Sequence, residues 1–369
     1  MPAFKKSFTF RSGATVKNCV VMAPMTISSS LSDGNVSDDE LKYYARRAKS
    51  GIGTVITGCA AVNPLAIGFE RSIAADSDEH IPSLTKLANA IKDNGATAIL
   101  QIFHAGRMSN SKLLNGKTPV SASTVAALRP NAETPRALST QEIDDTIQHF
   151  ADATRRAIEA GFDGVEIHGA NTYLVQQFFS PHSNRRDDFW GGDVHDRMRF
   201  PLAVVKAITD TANKAGRPFI TGYRLSPEER EEPGITMNDT LIFAEALANT
   251  KLDYIHISVN KFNGGSLRDA EDTTSRIALI QEKVGEKIAV IGVGGLQTPS
   301  QVEEALNVVP LVSLAHAIVM DPDWYKKAAT NADDTIYPAI YRSKKQELDI
   351  PEPFWNMIMT IPGWFKVED

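Results

Sequence analysis

The sequence predicts a single-domain α/β protein, a (β/α)8 TIM barrel with long loops at its C-terminal face. Two observations carry that expectation. Eight short apolar, β-branched runs recur along the 369 residues, and stretches with helical periodicity separate them. A third observation counts against the main competitor, an open dinucleotide-binding sheet, because no GxGxxG follows the first run.

In chain order the runs are Cys19–Met22, Thr54–Cys59, Ala98–Phe103, Gly164–His168, Phe219–Arg224, Tyr254–Ser258, Ala289–Val293 and Leu311–Leu314. Helices are expected over Ile81–Asn94, Gln141–Ala160, Arg197–Ala215, Asn238–Asn249, Ser275–Val284 and Pro299–Asn307, several opened by residues suited to capping. Two segments exceed a minimal barrel: Ser109–Arg136 after the third strand and Ser180–Gly192 after the fourth. Both follow strand C-terminal ends, the face where barrels build active sites, so they read as lids over a substrate. The barrel is expected to occupy residues 1–330. Residues 331–369 form an extension with Phe354, Trp355, Trp364 and Phe365, packing on the barrel or at a subunit interface and leaving a homo-oligomer open.

Composition narrows the function. With 45 acidic and 39 basic residues the net charge is −6, which gives no broad positive field for nucleic acid. Lys5 and Lys6 precede no apolar stretch, so no signal peptide or membrane span is expected and the cytoplasm is the default. Two cysteines, Cys19 and Cys59, are too few for a four-thiolate iron–sulfur cluster or a disulfide framework, and no metal site is expected.

Chemistry collects at strand ends. In Gly164-Val165-Glu166-Ile167-His168, strand alternation sends Glu166 and His168 to one side, into the barrel. Asn171 and Tyr173 follow, so an imidazole, a carboxamide and a phenol stand within six residues at one strand mouth. Two of these can donate hydrogen bonds to one oxygen, and the phenol can supply a proton. Thr26, Gln101, His104 and Arg224 are polar residues at other strand ends. Gln101 offers a donor and an acceptor to an imide edge, whereas Arg224 suits an electron-rich heterocycle or could instead neutralise Glu166. Gly294-Gly295 after the seventh strand and Ala315-His316 after the eighth occupy the loops where barrels commonly hold phosphate.

Four stretches bring a resemblance into view: Ala23-Pro24-Met25-Thr26; Ala98-Ile99-Leu100-Gln101 with His104-Ala105-Gly106-Arg107; Glu166-Ile167-His168-Gly169-Ala170-Asn171-Thr172-Tyr173; and Tyr223-Arg224-Leu225-Ser226-Pro227. With the loop Ser180–Gly192 they make the chain, from about Lys6 to Lys327, resemble the Old Yellow Enzyme family of FMN-dependent ene-reductases. The resemblance implies bound FMN, with NADH or NADPH as reductant in the same pocket and a small enone-type substrate. Thr26, Gln101 and Arg224 would hold the flavin ring with backbone at Pro24, Met25 and Ala61, and Gly294, Gly295, Ala315 and His316 would lie at its phosphate. His168 and Asn171 would bind the substrate carbonyl, and Tyr173 would protonate the α-carbon.

Three positions depart from that pattern. Ala315-His316 replaces a common Gly-Arg, which predicts weaker FMN retention because an imidazole is not a permanent cation. Ser28 stands where some relatives carry an aromatic, and Val259-Asn260-Lys261 where a small Gly-containing turn is usual. The competing readings are a flavin-free phosphate-binding lyase or isomerase on the same barrel and a non-enzymatic flavin-binding protein. Flavin content and sustained turnover discriminate them.

Overall fold

A computed structural model describes the whole chain, Met1–Asp369. Its centre is eight parallel strands: β1 Val20–Met22, β2 Thr54–Ile56, β3 Thr97–Phe103, β4 Gly164–Gly169, β5 Ile220–Leu225, β6 Tyr254–Ile257, β7 Ala289–Gly292 and β8 Leu311–Leu314. Each pairs with the next, and β8 returns to β1 with Val312 opposite Val20 and Leu314 opposite Met22, so no edge is left. All eight expected runs are strands. The second ends early, at Ile56, because Thr57 turns its hydroxyl onto the Gly58 carbonyl and the Gly58 N–H is taken by Tyr44 Oη.

The helices α1 Asp38–Ala48, α2 Ile81–Lys92, α3 Thr140–Glu159, α4 Arg199–Ala212, α5 Met237–Ala248, α6 Arg276–Val284, α7 Pro299–Ala305 and the short α8 His316–Met320 follow the strands in turn. Capping boxes start three of them: Ser139 with Glu142, Thr236 with Asp239 and Thr298 with Gln301. Helix α1 is not among those the periodicity singles out. It is nevertheless capped, with Ser37 accepting the Glu40 N–H. No helix is long and apolar enough to cross a membrane.

The barrel interior changes character from bottom to top. Val21, Ile56, Ile99, Ile220, Tyr254, Ile291 and Leu311 form an apolar cluster closed by Phe10 and Val16 of an N-terminal hairpin. Above it Glu166, fully buried, accepts from Gln101 Nε2 at 2.7 Å, Tyr254 Oη at 3.0 Å and His256 Nδ1 at 2.9 Å, while His256 Nε2 meets Ser313 Oγ at 2.7 Å. A carboxylate this deep survives only because both oxygens are satisfied. Gly222 makes the arrangement fit, since a Cβ there would stand 2.1 Å from the Tyr254 ring.

The two long segments are fastened to each other. Arg186 Nη1 donates to the carbonyls of Ala122 and Leu138, Ser123 Oγ accepts the Arg185 N–H, and Asn184 Nδ2 ties Phe178 to Trp190. These hydrogen bonds tie Ser180–Gly192 to the segment after β3, so the two stretches read as lids form one connected layer. At the C-terminus Phe354 packs edge-on against Tyr43 of α1, and the Phe365 ring lies 4.2 Å from that of His316.

Candidate active site

Alternation along β4 delivers Glu166 to the polar layer and His168 one layer higher, at the mouth. His168 is 5% exposed, and burial holds its imidazole well below the ordinary value, with Arg224 adding to the effect. It is therefore neutral near pH 7. Its Nδ1 accepts the Ala170 N–H at 3.4 Å, which leaves Nε2 to carry the proton and no protein group to receive it. The Tyr173 ring stands edge-on to His168 at 4.7 Å and to Phe103 at 4.6 Å. Burial pushes the Tyr173 phenol above its usual range, so it stays protonated, and its hydroxyl makes no hydrogen bond to the protein.

The turn between them is strained. Asn171 and Thr172 both adopt left-handed backbone, φ 56° and 65°, and for a β-branched residue that is a true outlier. Side chains four and five residues further along hold it. Gln176 Oε1 accepts the Thr172 N–H at 3.0 Å and Gln177 Nε2 donates to the Thr172 carbonyl at 2.6 Å. Buried Glu229 anchors Gln176 at 2.6 Å and also receives Ser180 Oγ. The Asn171 carboxamide is oriented too, since its Oδ1 accepts from Ser258 Oγ at 3.0 Å and lies 3.4 Å from Ser226 Oγ, turning Nδ2 free for another acceptor. Sequence reading missed Ser226, Ser258, Gln176, Gln177 and Glu229. Only Ser226, two residues past the end of β5 chemistry at Arg224, carried a hint.

Around this mouth the other expected residues take their places. Arg224 is buried and donates Nη1 to the Pro24 carbonyl at 3.3 Å, while its Nε has no partner. Direct neutralisation of Glu166 by Arg224 is absent, because Gln101, Tyr254 and His256 occupy both carboxylate oxygens. Burial pushes Glu166 up, but His256, Arg224 and Gln101 outweigh it and leave the carboxyl below its ordinary value. Gln101 thus spends one amide N–H on Glu166, and its side-chain carbonyl oxygen accepts no hydrogen bond from the protein. Thr26 Oγ1 lies 3.2 Å from Cys59 Sγ, a thiol that burial pushes up to about 12. Pro24 is buried and Met25 half-buried beside it; Ala61 lies on a short strand paired with Phe103 at the end of β3. His104 is structural: burial drives it to about 3, and Nδ1 accepts the Gly106 N–H.

At the mouths of β7 and β8 the material is backbone. Gly294 and Gly295 have φ of 136° and 67°, and a Cβ on Gly294 would stand 2.5 Å from the Phe262 nitrogen, so only glycine fits there. The N–H groups of Gly294, Gly295, Ala315 and His316 donate to no protein acceptor. His316 is half-buried against Phe365, and burial lowers its pKa.

Comparison with known proteins places this geometry. The family model described as NADH:flavin oxidoreductase / NADH oxidase matches residues 6–335. A probable NADH-dependent flavin oxidoreductase of Bacillus subtilis (strain 168) is 42% identical over 98% of this chain and 97% of its own length. An NADH:acrylate oxidoreductase of Vibrio harveyi is 45% identical over 95% of this chain, but the match spans only 35% of that longer protein. Among solved structures, the Old Yellow Enzyme homologue of Zymomonas mobilis superposes with a TM-score of 0.79 at 25% identity, covering 90% of this chain and 93% of the other. The chain belongs to the NADH:flavin oxidoreductase / NADH oxidase family, that of the Old Yellow Enzymes, whose members work with FMN and NADH or NADPH.

Proposed function

We propose that the protein is an FMN-dependent NAD(P)H oxidoreductase that reduces the activated C=C bond of α,β-unsaturated carbonyl compounds. The residues present suit FMN. A buried guanidinium with an orphan Nε, a glutamine carbonyl with nothing to accept and unspent amides at the β7 and β8 mouths are what a flavin ring and phosphate would use. Arg224, Gln101 and Thr26, with backbone at Pro24, Met25 and Ala61, would hold the ring; Gly294, Gly295, Ala315 and His316 would hold the phosphate. Bound FMN would take a hydride from NADH or NADPH and give it to the substrate β-carbon.

The chain's own groups do the rest. His168 Nε2–H and Asn171 Nδ2–H donate to the substrate carbonyl oxygen, drawing electron density from the alkene and stabilising the charge that grows on that oxygen. Tyr173 passes its phenolic proton to the α-carbon and regains one from solvent. One hydride and one proton are thereby added across the C=C bond, and the nicotinamide leaves oxidised. The observation that carries this reading is the division of labour within each side chain: Nδ1 of His168 and Oδ1 of Asn171 are occupied, while the proton-bearing atoms are free.

The relatives' names support the reductant more firmly than the acceptor. Acrylate and flavin differ between them, but NADH is common. Purified protein is expected to be yellow, to release FMN on denaturation, and to bleach anaerobically with NADH or NADPH and recolour with an enone. Colourless protein that cannot take up FMN would sink the proposal.

A further inference from the structure

A cleft of about 420 Å³ opens beside Asn171, over the ends of β5 and β6. Only 2 of its 12 lining residues are hydrophobic. Ser226, Ser258, Asn260 and Lys261 supply hydroxyls, a carboxamide and an ammonium. The other charges in the wall are engaged with one another. Arg276, 3% exposed, is bound by Glu228 at 3.0 Å and by Asp272 at 2.5 Å. Lys261 has no acidic partner within salt-bridge distance, and its backbone is pinned because the next residue, Phe262, donates to the Gly294 carbonyl at 2.9 Å and Gly264 donates to the Lys261 carbonyl. Arg276 also keeps one buried donor, Nη1, without a partner.

We propose that this cleft binds the pyrophosphate-bearing part of the nicotinamide dinucleotide, with Lys261 as the phosphate-binding cation and the Asn260 carboxamide available to ribose hydroxyls. The proposal rests on the reading of the neighbouring site as the place where NADH or NADPH reacts. Continuity through Asn171 lets one molecule present its nicotinamide at the catalytic turn and its phosphates here. The volume favours the dinucleotide over a small unsaturated acid, whose single carboxylate would leave most of it unfilled. Val259, Asn260 and Lys261 line the cleft side by side.

The test compares the FMN-loaded protein with Lys261→Met and Lys261→Arg, both at an exposed position that tolerates change. Calorimetric titration with ADP-ribose, which carries the pyrophosphate but no hydride, is expected to show affinity reduced roughly tenfold in Lys261→Met and kept in Lys261→Arg. In rapid mixing, half-saturation for NADH should rise by a similar factor. Reduction by 1-benzyl-1,4-dihydronicotinamide, which has no phosphate, should not change. Unaltered ADP-ribose and NADH affinities would overturn the proposal. So would weakened binding of acrylate alone, which would make the cleft a carboxylate site, or loss of FMN, which would assign Lys261 to the flavin phosphate. If instead no nicotinamide reduces the wild-type protein while ADP-ribose still binds through Lys261, the catalytic reading fails and this one stands.

Discussion

The two ends of the site are built from different materials. At the β4–β5 mouth, side chains do the work: His168, Asn171 and Tyr173 stand on a turn with two left-handed residues, clamped by Gln176 and Gln177 and anchored through Glu229. At the β7–β8 mouth the groups on offer are unspent backbone amides and one half-buried imidazole. Strain concentrated at the first end and its absence of permanent charge at His316 on the second suggest that geometry is held tightly where bonds change and loosely where a cofactor is only gripped.

The sharpest way to break this contrast is at Tyr173. Tyr173→Phe removes only the proton donor, so enone reduction should slow by about 10²- to 10⁴-fold while flavin reduction by NADH stays within a few-fold. Stopped-flow measurement of the two half-reactions decides it, and equal losses in both would remove Tyr173 from the proton-transfer role. Burial keeps His168 deprotonated by lowering its pKa and Tyr173 protonated by raising its own. Both working forms therefore persist across the neutral range. The pH profile of enone kcat/KM should be flat from about pH 6 to 9, apart from groups on the substrate.

The clamp comes next. Gln176→Leu strands the Thr172 N–H and one oxygen of buried Glu229, and each orphan costs about 1–3 kcal/mol. Urea unfolding should show a loss of about 2–4 kcal/mol, with enone turnover falling more than flavin affinity. A variant as stable as wild type, with both half-reactions intact, would show that the left-handed turn holds itself. A smaller effect is expected from Ser258→Ala. It frees the Asn171 carboxamide to rotate, and kcat/KM for enones should fall about five- to tenfold, near 1 kcal/mol. Unchanged enone kinetics would mean that Ser226 alone orients Asn171.

The same contrast explains what could be read from the sequence. The barrel was legible because eight runs repeat one simple unit, and the inward pair Glu166 and His168 follows from period-two alternation alone. Even so, alternation gave direction without partners. Gln101 was read toward a ligand, yet it spends its amide on Glu166, together with Tyr254 and His256 from β6, residues about 90 positions along the chain from that carboxylate. Glu229 was invisible for the same reason: it sits 53 residues from Gln176, and nothing local marks a carboxylate as the anchor of a distant turn. The β7–β8 mouth was legible only as a glycine pair and the Ala315-His316 step after β8, because amide N–H groups belong to every residue and carry no sequence signal.

The smallest effect probes that second mouth. His316 lies against Phe365 and burial lowers its pKa, so the neutral form dominates near pH 7 and contributes no fixed positive charge to a phosphate. His316→Arg would supply that charge, half-screened by solvent, and should tighten FMN about three- to tenfold, on the order of 1 kcal/mol. Fluorescence titration of apoprotein with FMN measures it, and the gain should shrink as salt rises. Rates of flavin reduction should hardly move, since the substitution lies at the β7–β8 mouth and not on the turn after β4 that carries Tyr173. An unchanged dissociation constant would mean that the amides of Gly294, Gly295, Ala315 and His316 already saturate the phosphate. The two mouths would then differ in material but not in strength of hold.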